Sequence, residues 1–361
     1  MKVSASLGLI TVLLLGLGAC AQNEKPTSST TTLRALGLME ITVSGLGTLQ
    51  PQSLAHVLEL PTAGALKALA LPEQVGGIDV QPLSTSVFNI GDRNAGTGKR
   101  YITATFKVRN ADHDGTVSAA ARSNLTLIAV NVPNAQDGSA VSAMQTFDGT
   151  AISTGLARGI LPTHAMVFQP TTSAAILSGG GEDLQVYSEA EVLPGNFTHA
   201  GVPLTSYADL GVKTVFPYGY VVRNPSAATG AGRRQLAASP AAGQYDGRVA
   251  ISVVLPLQKD DPTKTPTQGA KRDPFVFNMV FVIVADPNTS VTQSLEEQSS
   301  NMAATARVTD TAATGLNVLP GSTAPVGLAG GVTTRRVCQV RTAGLATDVT
   351  PAPTYLVNTC P

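Results

Sequence analysis

FVFNMVFVIVA, residues Phe275–Ala285, is the stretch that decides the fold class. It is apolar on both of its alternating faces, and Asn278 is its one polar residue. A run of this length, rich in Val and Phe and apolar on both faces, is typical of a strand at the centre of a sheet. The sequence therefore predicts a core strand that needs strands beside it and packed layers on both faces.

Other segments can supply those partners. Arg100–Arg109 alternates strictly, with Ile102, Ala104, Phe106 and Val108 on one face, and this period of two predicts a half-buried strand. Further predicted strands are Asn124–Val132, Arg248–Leu255, Tyr218–Arg223, Leu184–Tyr187 and Met39–Val43. Helical signals are few, and short Ala/Leu-rich or polar runs predict one or two turns at Leu54–Leu60, Ala63–Leu71 and Ser294–Ser299.

Many short strands separated by Gly and Pro predict a mainly β, antiparallel sandwich with long loops over residues 35–300. The alternative is two domains that divide within Arg223–Gln244, which is rich in Ala, Gly and Pro. RYITATFKVRN, NLTLIAVNV and FVFNMVFVIVADPNTSVTQSLEEQ resemble strands of secreted bacterial surface proteins with immunoglobulin-like or fibronectin-like domains. The antibody Cys-Trp-Cys core is missing, so the resemblance is one of architecture. It implies adhesion or scaffolding and no catalytic residue.

Residues 301–361 predict a small C-terminal β module. Arg335–Thr342 and Thr354–Cys360 are β-type runs that can pair as an antiparallel hairpin. Cys338 and Cys360 form an even pair in a chain predicted to be exported, which indicates a disulfide. Two free thiols or a metal site are the alternatives, and the lack of a nearby His argues against zinc.

The N-terminus indicates export. Lys2 precedes an apolar run, Leu7–Leu17, which is too short to span a bilayer and is typical of a signal peptide over residues 1–19. Leu17-Gly18-Ala19-Cys20 resembles the lipobox of bacterial lipoproteins, which implies lipidation at Cys20. An ordinary signal peptide with an incidental Cys20 is the alternative. Residues 20–34 are rich in Ser and Thr and predict a tether.

These features predict an extracytoplasmic, membrane-anchored protein. Ala21 after Cys20 resembles the signal for the outer membrane or cell surface rather than the inner membrane. The chain has 24 basic and 24 acidic residues, and its net charge is about −1 once Lys2 is removed with the signal peptide. A net charge this close to zero argues against a nucleic-acid partner. Trp is absent and aromatic residues are 4%, so a glycan-binding platform is disfavoured. The membrane and other envelope or surface proteins are the expected partners.

One segment matches half of a calcium-binding loop. Asn110, Asp112 and Asp114 place oxygen ligands at positions 1, 3 and 5, and Gly115 stands where the turn needs it. Position 12 is Ala121, so the closing Glu is missing. We therefore expect a polar turn whose Asx side chains bond their own backbone, and no metal. Gly91–Arg100 likewise fails the spacing of a phosphate loop and predicts a Gly-rich turn before a strand.

No pattern indicates catalysis. The four His are far apart, and no G-x-S-x-G occurs. Four acidic residues lie close together in the sequence, namely Glu182, Asp183, Glu189 and Glu191. Their pattern is more typical of the edge of a strand than of the carboxylate pair of a glycosidase. We expect no enzyme and no cofactor, although a hydrolase site assembled from distant residues stays an alternative. The expected function is structural or adhesive, with a closed apolar core; the alternative is capture of a small solute or glycan in a polar pocket.

Overall fold

The computed structural model divides the chain into two compact units, Met1–Thr30 and Thr31–Pro361. All of the first unit lies outside the residues that the structure describes. These are 33–58, 60, 78–92, 95–112, 114–136, 139–163, 165–171, 173–177, 184–186, 192–227, 234–264, 271–285, 338–341 and 354–357. Within them no helix is long and apolar enough to cross a membrane.

Strands dominate the described residues. In chain order they are β1 (Leu33–Ser44), β2 (Gln52–Leu58), β3 (Asp79–Asp92), β4 (Thr97–Arg109), β5 (Arg122–Ser123), β6 (Leu125–Asn131), β7 (Val141–Gln145), β8 (Leu161–Pro162), β9 (Met166–Gln169), β10 (Ala174–Leu177), β11 (Leu184–Val186), β12 (Phe197–His199), β13 (Val202–Pro203), β14 (Thr214–Val221), β15 (Gln235–Leu236), β16 (Gly247–Pro256), β17 (Val276–Ala285), β18 (Cys338–Arg341) and β19 (Thr354–Val357). One α-helix, α1 (Thr154–Arg158), and two 3₁₀ turns, Pro194–Asn196 and Tyr207–Leu210, complete them.

The large sheet has the order β11-β14-β6-β17-β1-β12-β13. In addition, β2 pairs with β1, and β7 pairs with β17. Its ladders are antiparallel except for β1 with β12. β17 lies between β1 and β6, so the prediction of a central strand is confirmed. Its polar exception, Asn278, donates a hydrogen bond from Nδ2 to Glu40 on β1.

The small sheet has the order β3-β4-β16-β8 and faces the large one across a shared inner core. β4 contributes Ile102, Ala104, Phe106 and Val108, the face that the alternation predicts. Phe277, Met279, Phe281 and Ile283 of β17 lie opposite. The Tyr220 hydroxyl on β14 donates to the Ser252 carbonyl on β16, so a buried hydrogen bond also joins the sheets. The fold is therefore mainly β, with two principal sheets around one core.

A second apolar layer covers the outer face of the large sheet. Val280, Val282 and Val284 of β17 pack there, and Phe197, Leu204 and Leu210 of the segment 192–212 cover them. A hairpin of β9 and β10 packs on the small sheet, where Met166 and Ala175 meet Tyr101 and Val254. β17 is thus covered on both faces, which accounts for its continuous apolar sequence.

The other strand predictions hold with ends shifted by a few residues, and β1 and β4 are longer than predicted. The helical prediction for Leu54–Leu60 is wrong, because Gln52–Leu58 is a strand paired with β1. A short apolar run fits either period, and pairing with a neighbouring edge decides it. The prediction for Ala63–Leu71 lies outside the described residues, as does that for Ser294–Ser299.

The two ends of the chain are described only in part. β18 and β19 pair antiparallel, with Cys338 opposite Val357, while the residues that connect them are not described. Cys360 and Cys20 lie outside the described residues, so the disulfide and the lipid anchor stay predictions. Leu33 and Arg34, assigned above to the tether, belong to β1, and Leu33 is buried.

Candidate functional site

Several connections meet at one end of the two sheets, which we call the loop end. It comprises the β1–β2 turn (45–51), the β7–α1 turn (146–153) and the described parts of the β16–β17 connection (257–264 and 271–275). Backbone hydrogen bonds join them: Leu46 N donates to the Phe275 carbonyl at 3.1 Å, and Phe275 N donates to the Gln145 carbonyl at 2.8 Å. Leu33 begins β1 at the opposite end, 12 residues or roughly 40 Å away along the strand.

A charged cleft of about 290 Å³ opens at the loop end. One wall is the β7–α1 turn and the other is the β16–β17 connection. Its apolar lining consists of Ile152 and Leu156, which also pack against the inner core. Its polar lining consists of Thr146, Asp148, Thr150, Ser153, Gln258, Asp261, Lys264, Lys271 and Arg272. The volume is at the lower end of the range for small-molecule pockets.

The two carboxylates of the cleft are occupied by groups of the chain itself. Asp148 Oδ1 accepts from the Thr146 hydroxyl at 2.6 Å and from Thr150 N at 3.1 Å, while Oδ2 accepts from Lys264 Nζ at 2.5 Å. The Lys264 hydrogen bond and those from the two threonines hold the pKa of Asp148 well below its usual range. Both carboxylate oxygens of Asp148 are therefore already used, one for contacts within the β7–α1 turn and the other for the contact with Lys264.

Asp261 is used in the same way. Its Oδ1 accepts from Thr263 N at 3.0 Å and from the Thr263 hydroxyl at 2.6 Å, and Oδ2 lies 3.4 Å from Arg272 Nη2. The hydrogen bonds from Thr263, with the Arg272 guanidinium beside them, lower the pKa of the Asp261 carboxyl. Both carboxylates therefore carry a negative charge at any physiological pH.

The cations of the cleft keep unused donors. The side chains of Lys264 and Arg272 are 46% and 57% exposed. Lys264 pairs with Asp148 and also feels the charge of Asp261, with which Arg272 pairs. Lys271 pairs with Asp260, which lies outside the lining of the cleft. An ammonium has three N–H donors and a guanidinium has five. Three carboxylates, Asp260 included, balance the three cations of the lining, so the cleft offers a ligand N–H donors rather than an excess of charge.

A buried ion pair contacts the β16–β17 connection, which forms one wall of the cleft. Arg100 on β4 and Asp273 have side chains only 1% and 2% exposed, and Arg100 Nη2 donates to Asp273 Oδ2 at 3.0 Å. Asn89 on β3 accepts from Arg100 Nε at 3.0 Å. Asp273 Oδ1 also accepts from Gln258 N at 2.8 Å, so it ties the two ends of the β16–β17 connection together. The position of the cleft wall therefore depends on this pair.

Two large apolar side chains stand exposed at the loop end. Leu49, in the β1–β2 turn, is fully exposed, and Phe147, in the β7–α1 turn, is 46% exposed. The Phe147 ring packs edge-on against Phe275, with ring centroids 5.1 Å apart. Exposed apolar groups flanked by charged residues are typical of surfaces that contact another molecule.

The calcium half-loop is a structural turn. Asp114 Oδ1 accepts from Thr116 N at 2.9 Å, so the expected Asx turn is confirmed at this residue. Asn110 is fully buried and points elsewhere: its Nδ2 donates to the carbonyls of Ala120 at 2.8 Å and Ala237 at 2.9 Å. The Asn110 amide group is therefore used to hold two backbone segments together.

We expect Asn110→Ala to destabilise the protein by about 2 kcal/mol, because a fully buried side chain loses its two hydrogen bonds to the backbone. A calcium-dependent loop predicts a different result, namely that Asp112→Ala costs stability only when calcium is present. Thermal melts of both variants in millimolar calcium and in chelator distinguish the two. A calcium-dependent rise of many degrees in the native protein that Asp112→Ala removes would contradict the structural role.

Another polar cluster ties a loop to the small sheet. The Tyr245 hydroxyl donates to Asp79 Oδ2 at 2.7 Å, and Arg109 Nη2 lies 3.2 Å from the same oxygen. Burial, together with the hydrogen bond and the charge of Asp79, raises the pKa of Tyr245 to about 12. Lys107 Nζ lies 4.4 Å from the centroid of the Tyr245 ring. The phenol stays protonated at neutral pH, so the cluster acts as a clamp between strands and loop.

The other candidate residues are spread over the molecule. His56 lies on β2 and His199 on β12, while His113 and His164 lie outside the described residues. The carboxylates at 182, 183, 189 and 191 also lie outside them, and β11 between them is the terminal strand of the large sheet. Gly91–Arg100 contains the β3–β4 turn, as predicted. Among the residues that the structure describes, no group of three or more His, Cys, Asp or Glu could hold a metal ion.

Searches of protein-family models, curated proteins and solved structures find no match for the chain.

Proposed function

We propose that the protein is a lipid-anchored component of the bacterial envelope or cell surface, attached through Cys20, that binds another envelope or surface protein at the loop end. An immunoglobulin-like architecture for the body is part of this proposal, and it is supported by two principal, mainly antiparallel sheets around one core. Such a scaffold displays its loops at the ends of the sheets, where they are free to contact a partner.

One observation carries the proposal, namely the placement of the loop end relative to the start of the body. The chain enters the body at Leu33, and Leu49 and Phe147 are exposed at the opposite end of β1. A tether joined at Leu33 therefore leaves the exposed apolar groups on the side away from the attachment point. The loop end is the surface that a neighbouring protein reaches first.

Site-specific photocrosslinking on intact cells tests the proposal. A photoreactive residue at Leu49 and one at Phe147 should capture the same neighbour. Leu193 is the matched control, since it is 45% exposed and lies four residues before Phe197, which pairs with Leu33 at the other end of β1. Cys20→Ser should move the protein from the detergent phase to the aqueous phase and remove the adduct.

Two results would contradict the proposal. Adducts that are equally frequent at Leu193 and Leu49 would show that the loop end has no special role. A Cys20→Ser protein that still partitions with membrane lipoproteins would place the anchor elsewhere.

The charged cleft favours a second function, the capture of a small solute. A cleft with an apolar floor and polar groups at its rim is the usual form of a small-molecule site. Thermal shifts of the full-length protein with panels of small acidic, basic and neutral compounds test this function. Leu156→Asp, which places a charge on the floor, should abolish any stabilisation by a ligand of the cleft.

A further inference from the structure

We propose that the charged cleft binds an oxyanion carried on a small apolar body, such as the carboxylate of an aromatic or aliphatic acid. The inference rests on the second function proposed above, capture of a small solute. It specifies the chemical class of that solute from the donors and acceptors that the cleft leaves available.

The first step concerns acceptors. Asp148 and Asp261 each use both carboxylate oxygens for contacts within the protein, with hydrogen bonds from threonine groups on one oxygen and a cation beside the other. A cationic ligand would have to displace Lys264 or Arg272 from these carboxylates. The cleft therefore has little to offer a positive group.

The second step concerns donors. Lys264 and Arg272 project from the same wall with their side chains about half exposed, and Lys271 adds a third positive charge to the lining. Each cation contacts one carboxylate and keeps further N–H donors for an added acceptor. Hydrogen bonds from charged donors to an anion are about twice as strong as neutral ones.

The third step concerns the body of the ligand. Ile152 and Leu156 are the apolar residues of the lining, and they offer a surface for a small apolar group. A volume of about 290 Å³ equals roughly ten water molecules at 30 Å³ each. It fits a molecule the size of a single acylated amino acid, and a long chain or a folded protein segment would exceed it.

The fourth step concerns rigidity. Asp273 holds both ends of the β16–β17 connection, and the Asp148 hydrogen bonds hold the opposite turn. The described ends of the connection and the opposite turn are therefore tied by hydrogen bonds within the protein. A preformed site loses less conformational entropy on binding than one that must become ordered.

The test compares probes of one shape and different charge on the full-length protein by calorimetric titration. The probes are N-acetylphenylalanine, its neutral amide and phenyl phosphate. The acid or the phosphate should bind with 1:1 stoichiometry at least tenfold more tightly than the amide, and the affinity should fall as salt is raised. Preference between acid and phosphate identifies the source of the oxyanion.

The double variant Arg272→Gln, Lys264→Gln should weaken binding of the anionic probes by at least tenfold. Lys259→Gln is the matched control, because Lys259 is exposed on the same connection but is not part of the cleft lining, and it should bind like the native protein. Far-ultraviolet circular dichroism and melting temperature show that all three proteins are folded.

The outcomes separate the inference from the function on which it rests. Equal affinity for acid and amide, or native affinity in the double variant, overturns the oxyanion assignment. Stabilisation by neutral or basic compounds, lost in Leu156→Asp, would then leave solute capture standing. If no compound of any charge binds, both the oxyanion assignment and the second function are rejected. The first function, binding of another envelope or surface protein, is then decided by the crosslinking experiment alone.

Discussion

Asp273→Ala should destabilise the protein by about 3–5 kcal/mol, because it removes the carboxylate that pairs with the buried Arg100 guanidinium. Arg100 is 1% exposed, and Asn89, which accepts from its Nε at 3.0 Å, carries no charge that could replace the carboxylate. The variant also removes the acceptor for Gln258 N at 2.8 Å, so the β16–β17 connection loses its tie. A fall of roughly 10 °C in melting temperature is expected for a body of this size.

The matched control is an ion pair on the same connection that remains in contact with water. Lys264 and Asp148 are 46% and 32% exposed, and solvent screens such pairs, so they contribute little to stability. Lys264→Ala should therefore melt close to the native protein. Arg100→Met combined with Asp273→Ala should recover part of the loss, since both charges of the pair are then removed. A single Asp273→Ala variant as stable as Lys264→Ala would contradict a structural role for the pair.

Much of the architecture could be predicted from the sequence because strand periodicity reports burial directly. In Arg100–Arg109 the predicted inward residues, Ile102, Ala104, Phe106 and Val108, are all in the inner core. Phe275–Ala285 is central because both of its faces are apolar. These patterns arise from contact with other layers, so they survive in the sequence wherever a strand is covered.

Strands at the edges of sheets were missed. β3 contains Pro82 beside the exposed Leu83, with a shift of register between Pro82 and Ser84, so its alternation is broken. Pro and bulges are tolerated at an edge because one side of the strand needs no ladder partner. The helical prediction for β2 fails for a related reason. Leu54 and Leu58 are exposed and four residues apart, which is also the spacing of residues on one face of a helix.

The charged cleft was also missed, although the sequence held a signal for it. Charged residues are 13% of the chain, whereas 7 of the 15 residues in 259–273 are charged. This density of charged residues indicates a surface feature, but it does not indicate which residues elsewhere in the chain contact it. Asp148 lies more than a hundred residues before Lys264, and nothing local in either segment indicates that the two meet. Long-range pairing through the β7–β17 ladder brings them together.

The buried pair was hidden for another reason. Arg100 stands at the start of an alternating strand, where an arginine ordinarily reaches solvent, and Asp273 lies in a polar connection. Burial of both depends on the packing of Asn89 and Gln258 around them. A charge in the core is compatible with the sequence only when its partner is known, and 173 residues separate these two.

Phe281→Ala should cost about 3–5 kcal/mol, because it removes a fully buried ring from the middle of β17 and leaves a cavity in the inner core. Phe281 is 0% exposed, and its ring packs edge-on against Tyr220 at a centroid separation of 6.0 Å. Tyr220 also donates its hydroxyl hydrogen bond across to β16, so loss of Phe281 loosens a contact between the two sheets. The free energy of unfolding by urea measures the effect.

Phe147→Ala is the matched control, since it removes the same ring from an exposed site at the loop end. Phe147 is 46% exposed and packs mainly against Phe275, so its loss should cost about 1 kcal/mol or less. The ratio of the two effects tests the architecture directly. If the two variants unfold at the same urea concentration, β17 is not the central strand of a core shared by both sheets. A large loss for Phe281→Ala, with an unchanged slope of free energy against urea, places the ring in a core that unfolds as one unit.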